Sequence, residues 1–184
     1  MKLSIASLML ITVVAAATAL SFKPLLRKER SEDLVKAVEL GNIERVEELL
    51  KIHDVNERIS GLGFLDSNSS LLITAAKSSN VEMVRVLLEL GADPAVQDNS
   101  GYAAIHFVAQ NYTAYGDKSL EQLKRDLVVL NDLVVCTPQL KPTRHGTALS
   151  MARYLAFTSK QHQELYRRKI QILEEWMDKT KGDG

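Results

Sequence analysis

Apolar residues recur at helical spacing from about Glu32 onward, in paired short runs rather than one long stripe. Leu34, Ala37 and Val38 share one face of a first predicted helix, and Val46, Leu49 and Leu50 one face of the next. Between them, Gly41-Asn42 stops one helix and starts another. The plan returns with Leu72, Ala75 and Ala76, a Ser78-Ser79-Asn80 turn, then Met83, Val84, Leu87 and Leu88. Gly91 follows as a C-cap, and Pro94 prevents the helix from resuming. Further on, Ser119-Leu120-Glu121-Gln122 reads as a capping box, after which Leu120, Leu123, Leu127, Leu130 and Val134 form an inward stripe. Pro138 and Pro142 break the chain. A last helix, from about Lys160 to Lys179, places Tyr166, Ile170, Leu173 and Met177 on one seam, with Trp176 beside them closing the end.

These runs are copies of one unit. Ala103-Ala104-Ile105-His106-Phe107-Val108, preceded by the turn Asp98-Asn99-Ser100-Gly101, is the clearest opening. Thr147-Ala148-Leu149-Ser150-Met151-Ala152 and Ser70-Leu71-Leu72-Ile73-Thr74-Ala75 are two more, and Glu32-Asp33-Leu34-Val35-Lys36-Ala37 is a degenerate first. Leu87-Leu88-Glu89-Leu90-Gly91-Ala92-Asp93-Pro94 is a well-formed close. The grammar resembles the ankyrin repeat, whose signature is T-P-L-H-x-A at a period of about 33 residues. The resemblance covers roughly residues 31–180. It implies an all-α, ankyrin-type helical solenoid of about four repeats that binds protein and does no chemistry.

The copies depart from the family in spacing and in detail. Their signature positions fall at Leu34, Leu72, Ile105 and Leu149, so the intervals are 38, 33 and 44 residues. The first excess lies in an enlarged loop between repeats 1 and 2, Glu57 to Ser69. The second lies in repeat 3, where Asn111 to Lys118 extends the turn between helices. No copy keeps the signature proline, and only the third keeps the histidine, His106, whose family role is to fix the turn by hydrogen bonds.

The N-terminus follows different rules. After Met1-Lys2, Leu3 to Leu20 carries no charge and ends in Ala17-Thr18-Ala19, the small-x-small form of a signal-peptidase site. Its 18 residues also approach a membrane span of roughly 17–25. Lys23, Arg27, Lys28 and Arg30 follow, a flank that favours staying inside. The expected organisation is therefore a signal peptide or signal anchor at 1–19, a charged linker at 20–30, the repeat domain at 31–180 and a frayed tail at 181–184. An ordinary soluble N-terminus is a third reading. Export would place the repeats in the periplasm of a bacterium, whereas an uncleaved anchor through residues 3–20 would tether them to a membrane.

Composition narrows the function. The 184 residues hold 23 basic and 23 acidic side chains, so no overall charge favours nucleic acid. Tyr166-Arg167-Arg168-Lys169, amid Glu164, Glu174 and Glu175, reads as a solvated helix face. Cys136, the single cysteine, reads as a small buried thiol, with a reactive or intermolecular thiol as the alternative. His53, His106, His145 and His162 show no metal-ligand spacing, and Gly61-Leu62-Gly63 lacks the Gly-Lys-Ser/Thr of a phosphate loop. No nucleophile elbow frames a serine. Neither enzyme activity, nor a cofactor, nor a metal is expected.

What remains is surface. The resemblance implies partner binding on the concave side, through loop tips and the first helix of each repeat. The candidates there are Lys77, Ser78, Phe107, Gln110 and Asn111, with Lys36, Glu39 and Thr74 in the same rows. Loop tips add Leu62, Phe64 and Leu65 near one end, and Tyr102, Tyr112 and Tyr115 further along. The alternative for Phe64 and Leu65 is that they tuck back onto the first two repeats. The expected protein is a monomeric interaction module with one protein partner. Alternatives by fold analogy are an immunity protein that neutralises a toxic envelope enzyme and a periplasmic accessory in oxidative-stress defence.

Overall fold

The computed structural model describes residues 31–59, 68–110, 112–113, 116–117, 119–137, 146–158 and 162–182. Residues 31–40 form helix α1. The helices after it are α2 (Ile43–Leu50), α3 (Leu71–Lys77), α4 (Val81–Glu89), α5 (Ala104–Ala109), α6 (Leu120–Cys136), α7 (Ala148–Thr158) and α8 (Gln163–Gly182). The helices stack in two rows. In one, α3 packs on α5 and α5 on α7; in the other, α4 packs on α6 and α6 on α8. From α3 onward each helix pair thus packs against the next pair, the solenoid expected from the repeats. The signature positions Leu34, Leu72, Ile105 and Leu149 are all buried, as are the alanines Ala37, Ala75, Ala76, Ala109 and Ala152 that let the helices approach.

The first two turns are built alike. Gly41 donates its N–H to Val38 O at 3.1 Å and Asn42 donates to Ala37 O at 2.9 Å. Thirty-eight residues on, Ser79 donates to Ala76 O at 3.1 Å and Asn80 to Ala75 O at 3.2 Å. Asn42 and Asn80 then cap the second helices, accepting from Arg45 N and Met83 N. The helix stop needs a left-handed residue. Gly41 takes φ +71°, which favours glycine, and a Cβ there would stand 2.8 Å from Asn80 Nδ2, which would have to shift. Ser79 holds φ +55° with a side chain, at a cost of roughly 1–2 kcal/mol. Its buried hydroxyl, however, bonds Asp126 Oδ1 at 2.6 Å, a charge-assisted contact that contributes about 1.5–3 kcal/mol. The bond is of the same order as the strain and offsets it.

The two enlarged segments are closed at their bases. Ile59 and Ser69 form an antiparallel bridge beneath the first loop. In the second, β1 (Tyr112–Thr113) pairs antiparallel with β2 (Gly116–Asp117), Tyr112 opposite Asp117 and Thr113 opposite Gly116. What reads from the sequence as a longer turn thus carries a short antiparallel pairing of two residues on each side.

Three expectations for the C-terminal half change. Leu120 is not on the inward stripe of α6 but 44% exposed; Leu123, Asp126, Leu130 and Leu133 make up that stripe, with Leu127 and Val134 at its edge. Cys136 is exposed, because the stripe runs from Leu133 to Thr137 and passes it by. Its thiol is directed at the carbonyls of Asp132 and Leu133, and partial burial with the nearby Asp132 charge pushes its pKa up. Lys169, read as part of a solvated basic face, is 0% exposed and bonds Asp126 Oδ2 at 2.8 Å. Arg167 and Arg168 beside it are exposed as expected. Trp176 is buried, its indole N–H donating to Thr137 O at 3.0 Å, and Tyr166 and Leu173 lie on the buried seam.

Among the described residues no helix is long and apolar enough to cross a membrane. The stretch Leu3 to Leu20 lies outside them.

Candidate interaction face

The face begins with the turn before α5. Asp98, itself buried, accepts the N–H groups of Ser100 (2.8 Å) and Tyr102 (2.9 Å) on Oδ1, while its own N–H donates to Tyr102 O at 2.9 Å. Gly101 completes the turn at φ +82°. An aspartate that bonds its own downstream backbone holds a tight turn without help from elsewhere. The consequence is local: Tyr102 is set against the first turn of α5, edge-on to His106 (5.8 Å) and tilted against Phe107 (5.6 Å).

His106 fixes the start of α5. Ala103 has no polar side chain with which to cap the helix, and its N–H donates instead to His106 Nδ1 at 3.1 Å. Only an unprotonated Nδ1 can accept that bond, so the neutral ring is the structural one. Burial lowers the His106 pKa below the ordinary 6.5, with the Asp98 charge opposing in part. The unfolded chain therefore binds more protons below about pH 6.5. The His106 contribution to stability is whole above that pH and is lost as pH falls through the lowered folded value. A urea titration of the parent and of His106→Gln should show the parent losing more of its midpoint between pH 7.5 and 5.5. Equal losses would show that the ring titrates alike in both states.

Lys77, at the end of α3, completes the cluster. Its ammonium lies 4.5 Å from the Phe107 ring centroid and 3.3 Å from Ser69 Oγ. Burial of the ammonium lowers the Lys77 pKa, while the charges of Asp98 and Glu39 pull it back up. Further along the row, Gln110 reaches α7 through a 3.6 Å contact of Nε2 with Met151 Sδ. Lys77, Tyr102 and Phe107 are thus brought together, and Gln110 extends the surface towards the fourth repeat. Tyr102, Phe107 and Gln110 are half-buried.

The other candidates fall elsewhere. The Ser78 hydroxyl bonds the carbonyls of Ala75 (3.0 Å) and Thr74 (3.3 Å), so it serves the end of α3. Thr74 Oγ1 bonds Ser70 O at 3.2 Å. Lys36 and Glu39 stand exposed on α1. Leu62, Phe64, Leu65, Asn111 and Tyr115 lie outside the described residues, and of Tyr112 only the backbone position in β1 is described.

Two residues escaped the sequence reading. Met151 belongs to the face because it occupies in α7 the position that Phe107 holds in α5. Asn56 ties two loop tips together, donating to Gly91 O at 3.2 Å and accepting the Asp93 N–H at 2.7 Å. Its signal was the recurrence of Asp54-Val55-Asn56 and Asp93-Pro94-Ala95 after successive second helices. Among the described residues no three His, Cys, Asp or Glu side chains are grouped as a metal ion would require.

A profile of ankyrin repeats matches residues 34–123 in three copies. Over 50 residues, 27% of this chain, the sequence is 44% identical to part of dynein axonemal heavy chain 12 of Bos taurus, and the match spans 14% of that protein's length.

Proposed function

Residues 34–123 belong to the ankyrin-repeat family, a protein–protein interaction module, and from that premise we propose that this chain holds one protein partner on the row of first helices. The observation that carries the reading is the Lys77–Phe107–Tyr102 cluster. Two half-buried aromatic rings held by a rigid turn, under one lysine, make a preformed anchor that costs little ordering entropy on binding. Gln110 and the loop tips frame it, and the chain acts as a monomer.

The test is site-directed photocrosslinking in native cells, with a photoreactive residue at Gln110 and a second probe at exposed Arg85 on α4. The first probe is expected to capture one protein. Phe107→Ala is then expected to weaken binding of that protein about 30-fold without altering the helical signal. Capture at Arg85 with none at Gln110 would assign binding to the other row.

Export or tethering belongs to the same proposal and rests on the uncharged run Leu3 to Leu20. Intact mass and fractionation of the native protein test it. Loss of about nineteen residues with release in the envelope fraction supports export, and a full-length membrane-bound product supports an anchor. A full-length soluble product would remove both.

A further inference from the structure

Helix α8 has a sequence that does not choose its own axial position. Leu165 and Tyr166, Ile170, Ile172 and Leu173, and Trp176 and Met177 place apolar side chains on one side of every turn. The facing helix α6 is similar, with Leu123, Leu127, Leu130, Leu133 and Val134. Sliding α8 by four residues, about 6 Å at 1.5 Å per residue, again sets apolar turns on apolar turns. Two positions break this degeneracy. Asp126 lies between Leu123 and Leu130 on the α6 stripe, Lys169 lies between Tyr166 and Leu173 on the α8 stripe, and both are 0% exposed.

We propose that the Asp126–Lys169 pair is a register pin, which fixes where α8 sits along α6 and so where the fourth repeat docks on the third. In the observed register both members of the pair are bonded. Lys169 Nζ donates to Asp126 Oδ2 at 2.8 Å and to Val108 O, near the end of α5, at 2.7 Å. Asp126 Oδ1 accepts the Ser79 hydroxyl from the turn between α3 and α4. One carboxylate thus joins the second, third and fourth repeats at a single point. A four-residue slip brings Leu165 or Leu173 opposite Asp126 and leaves a buried carboxylate without its cation, a strongly unfavourable arrangement. The pair therefore discriminates against the neighbouring registers, whereas the apolar stripes do not. A single polar contact in an apolar seam sets register in coiled coils by the same logic.

Trp176 is the only tryptophan in the chain, and its indole N–H is bonded to Thr137 O, so its fluorescence reports the register of α8 directly. The decisive variant is Asp126→Leu with Lys169→Met in the full chain, which keeps the seam filled and removes the pin. Asp126→Val with Lys169→Leu guards against a packing failure of the first. The expected result is a folded helical protein whose melting midpoint falls by no more than the loss of the Ser79–Asp126 bond accounts for. Its Trp176 should split into two or more emission populations, at least one quenched by acrylamide several-fold more strongly than in the parent. A single population matching the parent would overturn the proposal, because apolar packing and the Thr137 bond would then suffice. Loss of folding in both variants would overturn it as well, by showing that the pair holds the seam together rather than positions it.

Discussion

Asp126→Ala is expected to destabilise the folded stack by about 3–5 kcal/mol, the cost of leaving a buried charge without its partner. The Lys169 ammonium is 0% exposed and would keep the neutral Val108 carbonyl while losing the carboxylate that balances it. The Ser79 hydroxyl would lose its acceptor in the same step, and with it the bond that offsets the left-handed turn. For a domain of this size the melting midpoint should fall by roughly 6–20 °C. The contrast is Glu174→Ala, which removes the Arg153–Glu174 pair at 2.6 Å between half-exposed side chains. Water replaces a lost partner at such a site, and exposed pairs contribute little. Urea melts of both variants, followed by far-ultraviolet circular dichroism, check the difference. A loss below about 1 kcal/mol for Asp126→Ala would mean that water reaches the cluster or that Lys169 swings out to the surface.

The helices, their stops and the stacked order were legible because they follow from local rules repeated along the chain. The alanines, the signature leucines and the Gly41-Asn42 and Ser79-Asn80 turns each carry their instruction in a few residues. The buried pair was hidden by the same local reading. Lys169 follows two arginines that are solvated, and its partner is 43 residues away in sequence. A signal was nevertheless present: one acid sits on the apolar stripe of α6 and one base on that of α8, in consecutive outer helices. Each is anomalous alone, and together they neutralise each other. The misplacement of Leu120 has a geometric cause. Helix α6 has 17 residues and its neighbour α4 has nine, so the first turn of α6 overhangs the stack. Periodicity states which way a side chain points but not whether a neighbour reaches that far. For the candidate interaction face, Phe107 and Lys77 were legible as outward positions, whereas their meeting at 4.5 Å depends on how closely α3 packs on α5.

Leu72→Ala and Leu120→Ala separate packing from periodicity. Both leucines hold inward positions by spacing, and both substitutions remove the same atoms. Leu72 is 1% exposed in the middle of the first-helix row, where α3 is held between α4 and α5. Truncation there loses the transfer energy of the side chain and leaves a cavity that flanking helices close only in part, at a cost of about 2–5 kcal/mol. Leu120 is 44% exposed on the overhanging turn, where water fills whatever is removed, and the change should stay within about 0.5 kcal/mol. Alanine is also the better helix former by a few tenths of a kcal/mol, which offsets part of the remaining loss at Leu120. Chemical denaturation of the two variants side by side reads the difference. Equal losses would mean that the first turn of α6 is covered in solution, and the overhang would then have to be counted as part of the core.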